Sequence, residues 1–317
     1  MTPVRIVFMG SPQPAVAVLD AVVEVATANG WAMVAAYTAP DKPEGRGRRL
    51  SSTPVRLRAE ELGIPVCTPK RLTLLEEQER FRALNGDLVV LAAYGLLLPP
   101  PFLFEPRYGA VNVHPSLLPR HRGAAPVAAA ILAGDTRTGV TIMAMNEGLD
   151  TGPLLASRDI PLVGDERTPA LTERLFALGG EMLAEMLPRY VAGEVASRPQ
   201  PEEGATYTAR ISKADGLIDW REPARMIERR VRAYDPWPGA AAVWEGRRVT
   251  ITSAAVVPGE GDASPGEVWT RGEVVLVGTG NGALQLLRVK MEGRPEMDIA
   301  EFLRGRPAFS GARLEYR

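Results

Sequence analysis

From Arg5 to Gly193, short apolar runs alternate with stretches of helical period. RIVFMG (5–10) is a continuous apolar run of strand length. PAVAVLDAVVEVATANG (14–30) repeats its apolar positions at helical spacing and closes on an Asn-Gly stop. The same alternation continues. AMVAAYTA (32–39), DLVVLAAYG (87–95), GAVNVHPS (109–116) and TGVTIMAMN (138–146) read as strands. VRLRAEELG (55–63), LTLLEEQERFRALNG (72–86), APVAAAILAG (125–134) and ALTERLFALGGEMLAEMLPRYVAG (170–193) read as helices. PDKPEGRGRRLSSTP (40–54) has no hydrophobic period and reads as a loop. Strands separated by helices predict right-handed βαβ units: a Rossmann-like α/β fold, with a mostly parallel sheet and helices on both faces.

The texture changes near residue 190. GEVASRPQPEEGATYTARI is polar and irregular and reads as a linker. ARMIERRVRAY (224–234) is one further helix, and short strand-like runs follow with Gly-rich turns at about ten-residue spacing, the pattern of a small β-barrel. The expected organisation is a first domain over 1–189, a linker over 190–206 and a smaller domain over 207–317. GTGNG (278–282) sits in the β-rich part with no helix after it and reads as a hairpin turn.

Composition narrows the function classes. Net charge is −1, so there is no global basic signal for nucleic acid. Locally, Lys42 to Arg58 carries six basic residues against one acid, and Arg221 to Arg232 carries five arginines against two glutamates. Residues 206–317 hold 17 basic and 15 acidic groups, so a positive face there requires arrangement, not excess. No apolar run approaches the ~20 residues that cross a bilayer, and the N-terminus lacks a secretory pattern. A cytoplasmic protein is expected. Cys67 is the single cysteine and permits no internal disulfide. Two histidines and one distant cysteine make no metal-ligand set, so no metal is expected.

Ligands of open α/β sheets bind at the carboxyl ends of the strands. Three segments set polar residues at such ends: AAYG after DLVVL, NVH after GAV, and EGLDTG after VTIMAMN. In an extended segment Asn112 and His114 point the same way, and Pro115 holds His114 extended. An asparagine amide donates to a developing oxyanion without titrating. A histidine moves protons near neutral pH. Asp150, flanked by Gly148 and Gly152 in a sharp loop, suits an imidazolium partner. The set fits acyl transfer to an amine that the substrate brings. The residues alone also allow a satisfied histidine, a turn asparagine, or half of an aspartic-protease motif whose second copy is absent.

NVHPSLLPRHRGAAPV followed by TGVTIMAMNEGLDTG resembles the 10-formyltetrahydrofolate-dependent formyltransferases. RIVFMGSP, TAPDKPEGRGRRLSSTPV, LAAYGLLLP and ISKADGLIDW…RAYDPWPGA extend the resemblance to the methionyl-tRNA formyltransferase family over nearly the whole chain. The resemblance implies transfer of a formyl group from 10-formyltetrahydrofolate to the α-amine of methionine on initiator Met-tRNA. Asn112, His114 and Asp150 would be catalytic, Asn112 and protonated His114 stabilising the oxyanion. Tyr94, Gly95 and Leu96 would line the pteridine pocket, and Ser116, Leu117, Leu118 and Pro119 would contact the folate. Lys42, Arg46, Arg48 and Arg49 would meet the tRNA acceptor stem, Arg46 in the key position. The second domain would be an OB-like barrel that holds the tRNA backbone, and the protein a monomer.

Two positions depart from the family pattern. Pro115 stands where many members have glycine. His121 stands where a bulky aromatic is expected, and its place in a Pro-Arg-His-Arg-Gly loop predicts a surface or substrate-loop role. An amino sugar nucleotide formyltransferase is the competing enzyme, but such enzymes lack the PDKPxGRG loop. A glycinamide ribonucleotide formyltransferase would be shorter and Gly-rich after its first strand, and a dinucleotide-dependent oxidoreductase would need GxGxxG there; GSPQP is neither. A non-catalytic RNA-binding protein would leave the Asn/His/Asp set idle.

Overall fold

The computed structural model describes residues 3–44, 49–257, 259 and 263–315. It begins with β1 (Arg5–Gly10), α1 (Gln13–Ala28), β2 (Ala32–Tyr37), β3 (Lys42–Glu44), β4 (Arg49–Ser51), α2 (Pro54–Glu61), β5 (Val66–Cys67) and α3 (Leu75–Ala83). Next come β6 (Leu88–Ala92), α4 (Pro100–Phe104), β7 (Ala110–His114), β8 (Arg122–Gly123), α5 (Pro126–Ala133), β9 (Arg137–Ala144), β10 (Leu154–Pro161) and α6 (Thr168–Val191). The chain ends with β11 (Tyr207–Thr208), α7 (Ala224–Ala233), β12 (Ala240–Trp244), β13 (Arg247–Val257), β14 (Val268–Arg271), β15 (Val274–Gly278), β16 (Ala283–Met291), β17 (Glu296–Asp298) and α8 (Ile299–Gly305).

Two compact units result. The first is Met1–Gly123, Arg137–Ile160 and Thr172–Tyr207; the second is Ala124–Thr136, Pro161–Leu171 and Thr208–Arg317. The first unit is built on a seven-stranded sheet in the order β10-β9-β7-β6-β1-β2-β5. β1 pairs parallel with β2 and β6, β2 with β5, and β6 with β7. The chain leaves β1 towards β2 on one side and returns to β6 on the other, which opens a crevice at the carboxyl ends where the order reverses. Gly10 ends β1 there, and a Cβ on it would lie 2.8 Å from the Ala92 carbonyl oxygen of β6. Only glycine allows that approach.

Side chains alternate along each strand, so each face of the sheet buries its own set. Val7 and Met9 of β1, Val89 and Leu91 of β6, Phe81 of α3 and Phe102 of α4 share one cluster. The Phe81 and Phe102 rings stack at 4.1 Å, with Tyr37 edge-on to both. On the opposite face α6 meets β7 at Gly179, where a Cβ would collide with Val113, and meets α1 at Gly180, where it would lie 3.1 Å from Ala21. Helices thus cover both faces, as the pattern predicts.

One expectation fails here. β9 pairs antiparallel with β7, Asn112 opposite Met143 and His114 opposite Thr141. Its carboxyl end therefore leaves beside the start of β7, not beside His114, and Asp150 returns to the site on a loop. A buried strand has the same apolar pattern in either direction, so sequence periodicity carries no sign of this reversal. The expected loop at 40–54 also contains structure: β3 and β4 pair antiparallel, Lys42 opposite Ser51 and Glu44 opposite Arg49.

In the second unit β12-β13-β16-β15-β14 form an antiparallel path, with β17 paired to β16. Both edges of this path bond to the C-terminal segment. Val268 of β14 donates to Ala312 and Gly311 donates back to Val268, while Glu315 donates to Val243 of β12. Phe302 of α8 and Phe309 cap the core against Trp244. α5 groups with this unit, its C-terminal Ala133 carbonyl accepting from Arg229 of α7 at 3.2 Å. GTGNG is the turn between β15 and β16.

Phe102→Ala removes one member of the stacked pair from a fully buried site. We expect it to lower unfolding stability by about 3–5 kcal/mol, read from urea denaturation followed by fluorescence. A loss under 1 kcal/mol would contradict this packing.

Candidate active site

β7 turns Asn112 and His114 to one side and Val111 and Val113 to the other. Asn112 is half-buried, whereas His114 is only 4% exposed. One edge of the His114 ring is held by a segment seven residues on. Nε2 lies 3.0 Å from the His121 carbonyl oxygen. A carbonyl only accepts, so Nε2–H is the donor and the neutral ring carries its proton there. Nδ1 faces Asp150, whose Oδ2 is 3.7 Å away. That is too long for a hydrogen bond. The same Oδ2 accepts the Gly123 N–H at 2.8 Å.

Burial pushes the His114 imidazole below the ordinary histidine range, outweighing the opposing pull of the Asp150 carboxylate and the His121 carbonyl. The free ring therefore favours its neutral form, whereas the mechanism drawn from the sequence has the ring protonated while it stabilises the oxyanion. Protonation at Nδ1 would place the new charge directly against a carboxylate.

Three non-glycine residues bordering the site have positive φ: Ala93 (50°), His121 (60°) and Asp150 (52°). Each such conformation stores about 1–3 kcal/mol and needs its surroundings to hold it. The flanking glycines of Asp150 act by making room, since a Cβ on Gly152 would collide with the Ala144 carbonyl. Asn146 supports the loop by accepting from Gly148 N–H and Thr151 Oγ1, both at 3.0 Å.

The Ser116–Pro119 turn is rigid for internal reasons. Ser116 Oγ donates to the Arg120 carbonyl at 2.7 Å. Buried Thr141 donates to the Ser116 carbonyl at 2.7 Å and accepts from Leu118 N–H at 3.1 Å. Leu117 packs where Gly139 lacks a Cβ. After β6, Tyr94 is buried in the core cluster. Gly95, Leu96 and Leu97 follow as an exposed run, Leu97 at 82%.

His121 departs from the expected surface role. It is 7% exposed, and its N–H donates to Thr206 Oγ1 at 2.8 Å. A positive φ turns its carbonyl to His114, an arrangement with no sequence signature in a histidine. Sequence reasoning also missed Arg122 and Gln200. The Arg122 side chain is fully buried and donates to Gln200 Oε1 (3.1 Å) and Tyr207 Oη (2.8 Å). Gln200 Nε2 donates to the Asp150 carbonyl at 2.9 Å and the Gly152 carbonyl at 2.7 Å.

The Formyl transferase family matches residues 4–187, and the Formyl transferase, C-terminal domain family matches residues 210–307. A methionyl-tRNA formyltransferase of Chloroflexus aggregans is 48% identical over 95% of this chain and 97% of its own length. The chain belongs to the methionyl-tRNA formyltransferase family. Another relative of that name, from Roseiflexus sp., is 44% identical over 98% of this chain and 95% of its own. Two solved structures share the fold. HypX of Aquifex aeolicus in complex with tetrahydrofolic acid has a TM-score of 0.60 at 19% identity, over 95% of this chain and 47% of that one. An N-formyltransferase of Helicobacter canadensis, in complex with folinic acid and dTDP-3-aminofucose, has a TM-score of 0.64 at 16% identity, over 89% and 98%.

The four basic residues that the family pattern assigns to tRNA divide between two situations. Lys42 is exposed on β3 and Arg49 lies on β4. Arg46 and Arg48 lie outside the described residues. Further along, Arg56 is paired with Asp41 and Glu60, and Arg58 with Asp20 and Glu61. The two downstream arginines are thus engaged within the fold.

Thr141→Val leaves the buried Leu118 N–H and Ser116 carbonyl without their hydroxyl partner. We expect a loss of about 1–3 kcal/mol in urea unfolding. Wild-type stability would show that the hydroxyl does not hold this turn.

Proposed function

We propose that this chain transfers the formyl group of 10-formyltetrahydrofolate to the α-amine of methionine on initiator Met-tRNA. The observation that carries the reading is the Asn112, His114 and Asp150 set, with Nδ1 and Oδ2 3.7 Å apart, in a chain 48% identical to a methionyl-tRNA formyltransferase along nearly its whole length.

The neutral ring suggests how the proton travels. The methionine amine attacks the formyl carbon, forming the C–N bond and an oxyanion. The Asn112 amide donates to that oxygen. The amine's proton passes to the Nδ1 edge of His114, and the Asp150 carboxylate stabilises the imidazolium that forms. Nδ1–H then returns the proton to the folate nitrogen as its bond to the formyl carbon breaks. Nε2 takes no part, because the His121 carbonyl occupies it. The exposed run Gly95–Leu97 suits a flat heterocycle, and the rigid Ser116–Pro119 turn would border it.

The arm carrying Lys42, Arg46, Arg48 and Arg49 would meet the tRNA acceptor stem, with arginines making bidentate phosphate or base contacts. The second unit would hold the stem through its backbone, in a binding that weakens with salt. A cytoplasmic monomer fits this role; among the described residues no helix is long and apolar enough to cross a membrane. Transfer to an amino sugar nucleotide is the alternative, favoured by the fold shared with the Helicobacter canadensis enzyme.

Formyl transfer to initiator Met-tRNA is expected, with elongator Met-tRNA a poor acceptor. Asn112→Ala should lower kcat by about a hundredfold or more, and His114→Ala more severely. Arg46→Ala should raise the KM for Met-tRNA while sparing that for folate. Transfer to an amino sugar nucleotide but not to Met-tRNA would overturn the proposal.

Because burial lowers the His114 pKa, its imidazole should stay neutral as pH falls through about 6.5, the ordinary histidine value, and protonate only below it, read from the His114 ring resonances in an NMR titration of the resting protein. Protonation at or above about 6.5 would contradict a neutral resting ring.

A further inference from the structure

The two contacts that set the catalytic pair come from main-chain atoms on either side of one residue. The His121 carbonyl holds the His114 ring, and the Gly123 N–H holds the Asp150 carboxylate. Arg122, between them, is fully buried and carries a charge that its neighbours must keep satisfied. Its Nε donates to Gln200 Oε1. Nη1 donates to Tyr207 Oη, and the guanidinium carbon lies 5.5 Å from the centre of the Tyr207 ring. Glu202 approaches at 3.4 Å, but its side chain is 79% exposed and a screened partner.

Gln200 completes the circuit. The guanidinium takes the amide oxygen, which turns the amide nitrogen toward the Asp150 loop. That NH₂ then donates to the carbonyls of Asp150 and Gly152, on either side of Thr151. One charged fork thereby fixes the 121–123 segment directly and the 150–152 segment through a single amide. The segment supplying Gln200 lies within 190–206, which the sequence reads as a linker.

We propose that Arg122 and Gln200 are positioning residues for formyl transfer, setting the separation of His114 Nδ1 and Asp150 Oδ2 without touching either substrate. This inference rests on the catalytic reading of those two residues. Arg122→Lys keeps the charge but loses the planar fork, so charge alone does not restore the geometry. Gln200→Leu keeps the volume and removes both ends of the bridge. Gln200→Glu keeps the acceptor for Arg122 and sets a carboxylate oxygen against two carbonyls.

The test compares these three variants with wild type in kcat, in KM for each substrate, in the pH profile of kcat and in imidazole ¹⁵N NMR of the resting protein. The chain has only two histidines, so the His114 ring is assignable. The groups acting electrostatically on that ring are Asp150 and His121. We expect kcat to fall by about tenfold or more, as small misplacements at a reacting centre do, with both KM values nearly unchanged. The acid limb of kcat should move to lower pH as Asp150 loosens. The His114 resonances should change from a fixed Nε2–H form to an exchanging mixture.

The Gln200 variants guard against an Arg122 variant that fails to fold, because Gln200 is half-buried and carries no charge. Wild-type kcat, acid limb and NMR in Gln200→Leu and Gln200→Glu would overturn the inference. So would a loss of activity matched by loss of folded protein, with the remaining sites titrating normally. A wild-type enzyme that does not formylate Met-tRNA overturns the proposed function instead, and the NMR comparison still reads whether the bridge sets the ring.

Discussion

The hydrogen bond from His114 Nε2–H to the His121 carbonyl is the constraint on which the rest of the site depends. A main-chain carbonyl has no rotamer and does not titrate, so it defines one tautomer at every working pH. That choice leaves Nδ1 without its proton and facing Asp150, the side on which the proposed reaction would occur. Burial of the ring opposes protonation, while the carboxylate at 3.7 Å favours it. The balance yields a ring that rests neutral yet has a partner prepared for its charged form, which is what a proton carrier between two nitrogens requires.

Holding that carbonyl in place has a cost in local conformation. His121 and Asp150 both lie in the left-handed region, and neither would stay there in an isolated loop. The surrounding bonds over-determine them: His121 N–H to Thr206, Gly123 N–H to Asp150, and Gln200 to the carbonyls of Asp150 and Gly152. Strain concentrated at the reacting residues and relieved by a polar network around them is the expected signature of a preorganised site. The antiparallel course of β9 makes the network necessary. Because β9 ends beside the start of β7, the Asp150 loop must travel back without a strand to carry it.

The sequence was most legible where periodicity and composition act locally. β1, α1, β6, β7 and α6 follow from apolar spacing, and Asn112 and His114 share a side because strands have a period of two. Direction and tertiary capture were not legible. β9 reads alike in either sense. β10, LLASRDIP, alternates half-buried with exposed residues and carries Arg158 and Asp159, so its pattern resembles a loop. Arg122 looked like one more surface cation in a Pro-Arg-His-Arg-Gly run. Its burial depends on Gln200 and Tyr207, nearly eighty residues or more away. His121 misled for the same reason, since its contribution is a carbonyl oxygen and any residue type has one.

The shared fold limits where acceptor choice can reside. HypX in complex with tetrahydrofolic acid and an N-formyltransferase in complex with dTDP-3-aminofucose adopt this architecture at 19% and 16% identity, so the fold by itself does not say what the acceptor is. The Asn/His/Asp set, acting as proposed, would be equally indifferent to what the acceptor nitrogen is attached to. Selection must come from surfaces that reach past the reacting atoms, since function is set by sites carried on folds and not by folds. In this chain Arg56 and Arg58 are committed to carboxylates of the first unit. The β3–β4 arm has Lys42 exposed, with Arg46 and Arg48 following in the connecting sequence. If the basic arm meets tRNA phosphate as proposed, acceptor choice would be carried by residues other than the Asn112, His114 and Asp150 set.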